Sequence, residues 1–210
     1  MKISIDSPNP SLISIFEDPN QIITLDANFL IPPDRSRYAR RGFDFPLFKK
    51  VWLDPIFSNF PKLAIHEAVW DELILSSIQE YIQDLLDKNP PGIIIHKDSS
   101  LNEVEKVLRD SIEAKIYPHT NYEPMIDNKD DRGEVKSLAY IAVKELLYFA
   151  AHDNNALQLI EKAEEWSTGL DNVQAIQMYE VIYYLYSKGL GNSKSLRFLY
   201  KYQYYLTARE

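Results

Sequence analysis

The sequence predicts an α/β protein in which a central parallel sheet lies between layers of helices. Short apolar segments typical of buried strands alternate along the chain with longer segments whose apolar residues recur at helical spacing. Strands and helices that alternate in this way form parallel sheets joined by right-handed crossovers. At 210 residues, with 45% hydrophobic and 12% aromatic residues, the chain has enough apolar surface for a packed domain.

Three segments are predicted to be strands. The first lies within residues 21–30 and stops at Asp26, and the second is the run GIIIH, which ends near His96. The third covers residues 147–151 and lies two residues before Asp153. Each is a short apolar run, which is typical of a strand buried on both faces of a parallel sheet.

Four longer segments have apolar residues three and four positions apart, which is the spacing of one face of a helix. They predict helices over residues 63–76, 101–116, 134–146 and 156–166. The remaining C-terminal part is also predicted to be helical, with a break at the Gly-Leu-Gly run that begins at Gly189.

The composition excludes several classes of site and of protein. There are no cysteines, so disulfides, zinc thiolate sites and cysteine nucleophiles are all excluded. No apolar run approaches the roughly 20 residues needed to cross a bilayer, and the first residues lack the apolar stretch of a signal peptide. We therefore expect a cytoplasmic protein that does not enter a membrane.

The formal net charge of −8 leaves two interpretations open. Phosphate binding is largely electrostatic, so the chain is either an acidic protein that never meets nucleic acid or one with a local basic surface. In the second case, part of the negative charge belongs to a metal-binding cluster. The distribution of charge along the chain is therefore more informative than its sum.

Four acidic residues are predicted to lie near one edge of the sheet. Asp26 and Asp153 follow predicted strands, Glu72 belongs to a predicted helix, and Glu134 opens another, where the helix dipole favours an acidic residue. Ligands of open parallel sheets bind beyond the carboxyl ends of the strands. An all-oxygen site there suits Mg²⁺ or Mn²⁺, which lowers the pKa of a bound water and neutralises charge on a phosphate. The alternative is that each carboxylate only caps a helix or is solvated.

Four sequence motifs in order resemble those of the PIN-domain family. The string LDANFL resembles its first-strand motif, and AVWDELI is similar to its second motif, which ends in Glu-Leu. The string DDRGEVKSLAYIA resembles a third-motif variant with Gly-Glu, and YFAAHDNNALQLIEKA is similar to the fourth motif. The match in order and spacing extends from about Gln21 to Trp166. The tail LDNVQAIQMYEVIYYLYSKG resembles the closing segment of the subgroup with the Gly-Glu variant.

The resemblance implies a three-layer α/β/α fold and assigns roles to individual residues. The catalytic and metal-binding carboxylates would be Asp26, Glu72, Glu134 and Asp153, and Asn28 would position Asp26 by a hydrogen bond. Asp131 is a competing metal ligand, with Asp130 also possible by position, and His152 stands where the subgroup usually has a second acidic residue.

The resemblance also divides the chain. Residues 1–166 would form the PIN-like domain, with a helical insertion at about 75–125, because the second and third motifs are further apart than in a minimal PIN domain. Residues 167–210 would form a helical C-terminal extension packed on the same domain.

The function implied is that of a Mg²⁺- or Mn²⁺-dependent endoribonuclease acting on single-stranded RNA. Many relatives in this subgroup are toxins of toxin–antitoxin pairs, so an antitoxin partner and a homodimer are expected. Two alternatives remain open: an interaction module of the same fold without catalysis, and a DNA-directed nuclease of a phage-defence or mobile-element system.

A basic and aromatic segment follows the first motif. Its basic residues are interleaved with aromatic residues. Basic side chains contact phosphate and aromatic rings stack on unpaired bases, so the mixture is suited to single-stranded nucleic acid. The alternatives are a solvated loop whose aromatic residues belong to the core, and a docking site for a protein. The predicted RNA-binding residues are Arg35, Arg37, Arg40 and Arg41.

The four histidines do not have the spacing of a zinc site on a helix. His66 in particular is predicted to be an ordinary surface residue of the helix over residues 63–76.

Overall fold

Five short strands form one parallel sheet in the computed structural model, which describes residues 9–18, 20–31, 44–60, 62–152 and 154–203. Their order in the sheet is β3-β2-β1-β4-β5, and every neighbouring pair is parallel. The strands are β1 (Ile23–Leu25), β2 (Leu63–His66), β3 (Ile94–His96), β4 (Tyr148–Ala151) and β5 (Gln174–Gln177). Helices pack on both faces, so the predicted α/β fold with a central parallel sheet is confirmed.

Helices occupy most of the remaining described residues. The α-helices are α1 (Pro10–Glu17), α2 (Phe45–Phe48), α3 (Asp54–Asn59), α4 (Glu67–Glu72), α5 (Ser76–Leu86), α6 (Glu103–Ile116), α7 (Arg132–Val143), α8 (Asn154–Glu161), α9 (Ala163–Trp166), α10 (Met178–Ser187) and α11 (Ser193–Gln203). A π-helical segment (Lys49–Leu53) joins α2 to α3. Turns of 3-10 helix follow β1 (Ala27–Phe29), β3 (Asp98–Ser100) and α6 (Tyr117–His119).

Each face of the sheet is buried by its own layer of helices. In β1, Ile23 and Leu25 pack into a core shared with α1, α3, α5, α10 and α11. Thr24 lies on the opposite face, level with Phe149 of β4, which belongs to the core shared with α6, α7, α8 and α9. Successive side chains of a strand alternate between faces, so Asp26 continues on the α7 side of the sheet.

The strand order creates a switch point beside β1. The chain runs from β1 outward to β2 and β3, then crosses back to β4 on the other side of β1. In open parallel sheets the crevice for ligands lies at such a point, outside the carboxyl ends of the strands. The backbone N–H of Asp26 donates to the carbonyl oxygen of Ala150 at 2.9 Å, so Asp26 lies where β1 and β4 end.

Residues 63–66 form the interior strand β2, so the prediction that a helix begins at Leu63 is wrong. All four side chains are buried, and the run therefore lacks the alternation that separates a half-buried strand from a helix. The helix begins only at Glu67, and α4 ends at Glu72 before α5 starts at Ser76.

The three predicted strands are confirmed as β1, β3 and β4. The helices predicted over 101–116 and 134–146 correspond to α6 and α7, whereas the segment 156–166 is divided at Lys162 into α8 and α9. The predicted C-terminal break is confirmed between α10 and α11, where Gly189 has a left-handed φ of 66°.

Two segments named in the sequence analysis also contribute strands. The segment 75–125 contains β3 in addition to α5 and α6, and the segment 167–210 contributes the edge strand β5 before α10 and α11. Among the described helices, none combines the length and apolar character that crossing a bilayer requires.

Candidate metal centre

Asp26 is a buried carboxylate at the end of β1, with 3% of its surface exposed. Its Oδ2 accepts a hydrogen bond from the backbone N–H of Asn28 at 3.2 Å and a second from the Asn28 side-chain amide at 2.7 Å. The backbone bond caps the 3-10 turn that follows the strand. The two bonds together fix the orientation of the Asp26 carboxylate.

Glu72, the last residue of α4, reaches the N-terminus of α7. Its Oε1 accepts a hydrogen bond from the backbone N–H of Gly133 at 2.9 Å. That N–H belongs to the first turn of α7, where backbone donors have no partner inside the helix. A Cβ at residue 133 would lie only 2.4 Å from Glu72 Oε1, so any larger residue there would displace the Glu72 carboxylate from this position.

Glu134 directly follows this contact and is also buried, with 7% of its surface exposed. It lies in the first turn of α7, where the dipole of the helix stabilises a negative charge. Because α4 packs on α7, Glu72 and Glu134 belong to two helices that meet beside the switch point.

Asp131 is bonded to the loop that precedes α7. Its backbone is left-handed, with φ of 54°, and its Oδ2 accepts from the backbone N–H of Asn121 at 2.9 Å and from the Asn121 amide at 3.0 Å. Asp130 is exposed, 3.4 Å from the Asn128 amide. These contacts give Asp131 a structural role in the loop.

The other predicted site residues lie outside the described part of the chain: Asp153, Arg35, Arg37, Arg40 and Arg41. The three described carboxylates do not have ligand atoms that all lie within 4.8 Å of one another. They are Asp26, Glu72 and Glu134. Within the described residues, three possible ligand atoms that all lie within 4.8 Å of one another come from His66, Glu67 and Asp98.

These three residues join the carboxyl ends of β2 and β3, and we call them the β2–β3 clasp. His66, predicted to lie on a helix surface, is instead fully buried as the last residue of β2, so that prediction is wrong. Its Nε2 lies 3.2 Å from Asp98 Oδ1, and Glu67 Oε1 accepts the backbone N–H of Asp98 at 2.8 Å. Asp98 also pairs with Arg109 of α6.

The hydrogen bonds of the clasp argue against a metal there. His66 Nδ1 accepts the backbone N–H of Ala68 at 3.1 Å, so the proton of the neutral ring lies on Nε2, which donates to Asp98. A ligating imidazole needs a free lone pair on the nitrogen that faces the metal. Burial by itself would raise the pKa of Asp98, but the hydrogen bond from His66 and the charges of Arg109 and Lys136 hold this pKa below its usual value. The clasp is a hydrogen-bonded connection between strands.

A second buried histidine lies beside the clasp. His96 ends β3 opposite His66, and its Nε2 lies 3.0 Å from the Thr24 hydroxyl. Its ring stacks on Tyr140 of α7 at 4.8 Å between centroids. Burial, and secondarily the neighbouring His66, lowers the pKa of His96 to about 4, so its ring is neutral at physiological pH.

The sequence contained a signal for this buried pair. LAIH and GIIIH are both short apolar runs that end in histidine, and neighbouring parallel strands place their last residues side by side. The similarity is obscured because the first run continues directly into α4 and so resembles a single helix.

In comparisons with known proteins, no family model, no curated protein and no solved structure matches the chain. Function is therefore inferred from the residues themselves.

Proposed function

We propose that this chain is a metal-dependent nuclease that hydrolyses phosphodiester bonds of single-stranded RNA. Asp26, Glu72, Glu134 and Asp153 would hold Mg²⁺ or Mn²⁺. The observation that supports this best is Asp26, a buried carboxylate at the switch point of a parallel sheet whose orientation is fixed by Asn28. The order of the four motifs supports it independently.

The donor chemistry fits a hard divalent cation. The proposed ligands are all carboxylates, and Mg²⁺ and Mn²⁺ prefer oxygen donors. Asp26 and Glu134 are both buried, and a buried carboxylate is costly unless hydrogen bonds or a cation compensate it. The β2–β3 clasp fits less well, because its histidine nitrogen donates to a carboxylate.

When bound, the cation lowers the pKa of water and neutralises charge on the phosphate. The chain's own residues prepare the site for it. Asn28 fixes the Asp26 carboxylate, and the Gly133 N–H fixes that of Glu72. Neither side chain then has to be ordered when the cation arrives, which favours binding and correct geometry.

A role as the toxin of a toxin–antitoxin pair, with an antitoxin partner and a homodimer, belongs to the same proposal. Its support is an exposed apolar stripe on α6, where Val104, Val107 and Leu108 are 70%, 69% and 51% exposed. Exposed apolar patches of this kind are typical of protein interfaces.

The arginine-rich segment with Arg35, Arg37, Arg40 and Arg41 is proposed to contact RNA.

The first experiment is to incubate the purified chain with Mn²⁺ or Mg²⁺ and labelled single-stranded RNA. Asp26→Asn and Asp153→Asn are compared with Asp84→Asn, which changes an exposed acidic residue of α5. We expect cleavage that depends on the metal, disappears in the first two variants and persists in the control. The same oligonucleotide as DNA tests the strand preference.

Metal binding is measured separately from cleavage. A cation at about 100 times its Kd stabilises a folded protein by about 2.7 kcal/mol, and we expect Tm to rise by roughly 5–10 °C in the wild type. Asp26→Asn should lose most of this rise. Absence of both cleavage and stabilisation would contradict the proposal and favour an interaction module, while cleavage of DNA alone would identify a DNA-directed nuclease.

A further inference from the structure

A groove of about 690 Å³ lies at the carboxyl ends of β2 and β3. Its walls come from α4, α5, α7 and the segment after β3. Asp71 and Arg132 line it, and they directly precede Glu72 and Gly133 in the chain. The groove is thus lined by the chain neighbours of Glu72 and Gly133, and its volume falls within the range of pockets for small ligands.

Two hydrogen-bond donors on this groove have no partner in the described part of the chain. Lys97 is exposed and makes no ion pair with a described residue. Trp70 is half-buried, and its indole N–H has no acceptor among the residues that the structure describes. Trp70 packs in part against the core, so part of its side chain is exposed in the groove. A cation without an ion pair and a partly exposed aromatic ring in one groove are features that bind single-stranded nucleic acid.

The acidic residues of the groove already have partners. Asp98 pairs with Arg109 and accepts from His66, and Asp71 lies 3.4 Å from Arg132. Glu67 accepts the backbone N–H of Asp98. Glu67 keeps its negative charge, because a backbone N–H does not neutralise a carboxylate. Acidic and basic side chains line the groove in equal number, and Lys97 is a basic one that has no ion pair with a described residue.

We infer that this groove binds one unpaired nucleotide of the RNA strand next to the scissile phosphate. Lys97 contacts a phosphate of the strand, and the indole of Trp70 contacts the base. A base in a duplex does not offer a free face, so the groove selects single strands. The inference rests on the proposed nuclease function, and it names the part of the surface that recognises the substrate.

The test measures RNA binding in EDTA, where no cleavage occurs. A fluorescently labelled single-stranded RNA is titrated with the full chain at several salt concentrations. Lys97→Gln should weaken binding several-fold and reduce the slope of log K against log salt by about 0.7, the value for one phosphate contact on a single strand. Lys115→Gln, an exposed lysine of α6 that does not line the groove, should leave both unchanged.

Trp70 is tested with a pair of variants. Trp70→Leu removes the aromatic ring and should weaken binding about tenfold, since stacking on one base is worth 1–3 kcal/mol. Trp70→Phe keeps a ring and should bind within about threefold of the wild type on the same principle. Thermal melting establishes that each variant is folded, and a duplex of the same sequence should bind more weakly than the single strand.

The possible results separate the two proposals. If Lys97→Gln and Lys115→Gln behave alike, or if a folded Trp70→Leu binds as the wild type does, the groove is not the subsite, even when Mn²⁺-dependent cleavage is observed. If binding depends on Lys97 and Trp70 but no metal supports cleavage, the groove binds RNA and the nuclease proposal fails.

Discussion

Substituting Gly133 by alanine tests the contact that joins α4 to α7. The added Cβ would lie 2.4 Å from Glu72 Oε1 and 3.1 Å from a methyl carbon of Val69. The carboxylate lies at the end of a flexible side chain and has to retreat by about 1 Å to reach ordinary van der Waals contact. Its hydrogen bond to the residue 133 N–H, 2.9 Å in the wild type, is then lost or lengthened.

The expected loss of stability is small. A hydrogen bond to a charged group contributes about 1.5–3 kcal/mol, and the higher helix propensity of alanine returns about 0.8–1 kcal/mol. The net destabilisation is therefore about 1 kcal/mol, or a decrease in Tm of about 2–4 °C for a chain of this size. The effect on cleavage should be much larger, since a 1 Å displacement of a site residue can reduce the rate about 100-fold.

Melting followed by circular dichroism and initial rates of RNA cleavage in Mn²⁺ measure the two effects. Glu72→Gln is the matched control, because its amide oxygen still accepts the Gly133 N–H while the negative charge is removed. We expect it to melt like the wild type and to lose cleavage. An unchanged Tm for Gly133→Ala would refute the described contact, and wild-type cleavage would refute the role of Glu72 in the centre.

Three further predictions follow from the described contacts. Because the folded pKa of His96 is lowered to about 4, the unfolded chain binds more protons between that value and about 6.5. The free energy of unfolding should thus fall by up to roughly 3 kcal/mol as pH decreases through this window, and urea titrations of His96→Gln should show a flatter profile. Asp98 has a lowered pKa, so it stabilises the fold above about pH 4; Asp98→Asn should lower Tm at pH 7, and the difference from the wild type should shrink as pH falls below about 4. Glu134→Gln should abolish RNA cleavage, whereas Asp131→Asn should retain it, since Asp131 is bonded to Asn121; equal losses would assign Asp131 to the metal.

The strands that the sequence predicted correctly are those whose ends are marked. A polar residue directly follows each of β1, β3 and β4: Asp26, Lys97 and His152. β2 was missed because α4 follows it directly, which leaves one continuous run of apolar residues at helical spacing. β5 was missed for the opposite reason: its sequence QAIQ is polar at both ends, as an edge strand permits.

The parts of the candidate site that the sequence could not predict depend on contacts between distant residues. An acidic residue after a strand indicates a site by its position alone, and Asp26 could be named in this way. The approach of Glu72 to Gly133 joins residues 61 positions apart, and His66 and Asp98 are 32 positions apart. Such contacts depend on how α4, α7 and the strands pack, and periodicity carries no information about packing.

The central position of β1 has a consequence for synthesis on the ribosome. Ile23 pairs with Leu63 on one side, 40 residues later, and with Tyr148 on the other, 125 residues later. During translation β1 can pair with β2 early, but its other edge stays open until β4 has left the exit tunnel. Glu134 and Asp153 also emerge late, so a nascent chain carries only part of the carboxylate set. If the proposed reaction takes place, the growing polypeptide would be unable to cleave the messenger that encodes it until most of its length has been translated.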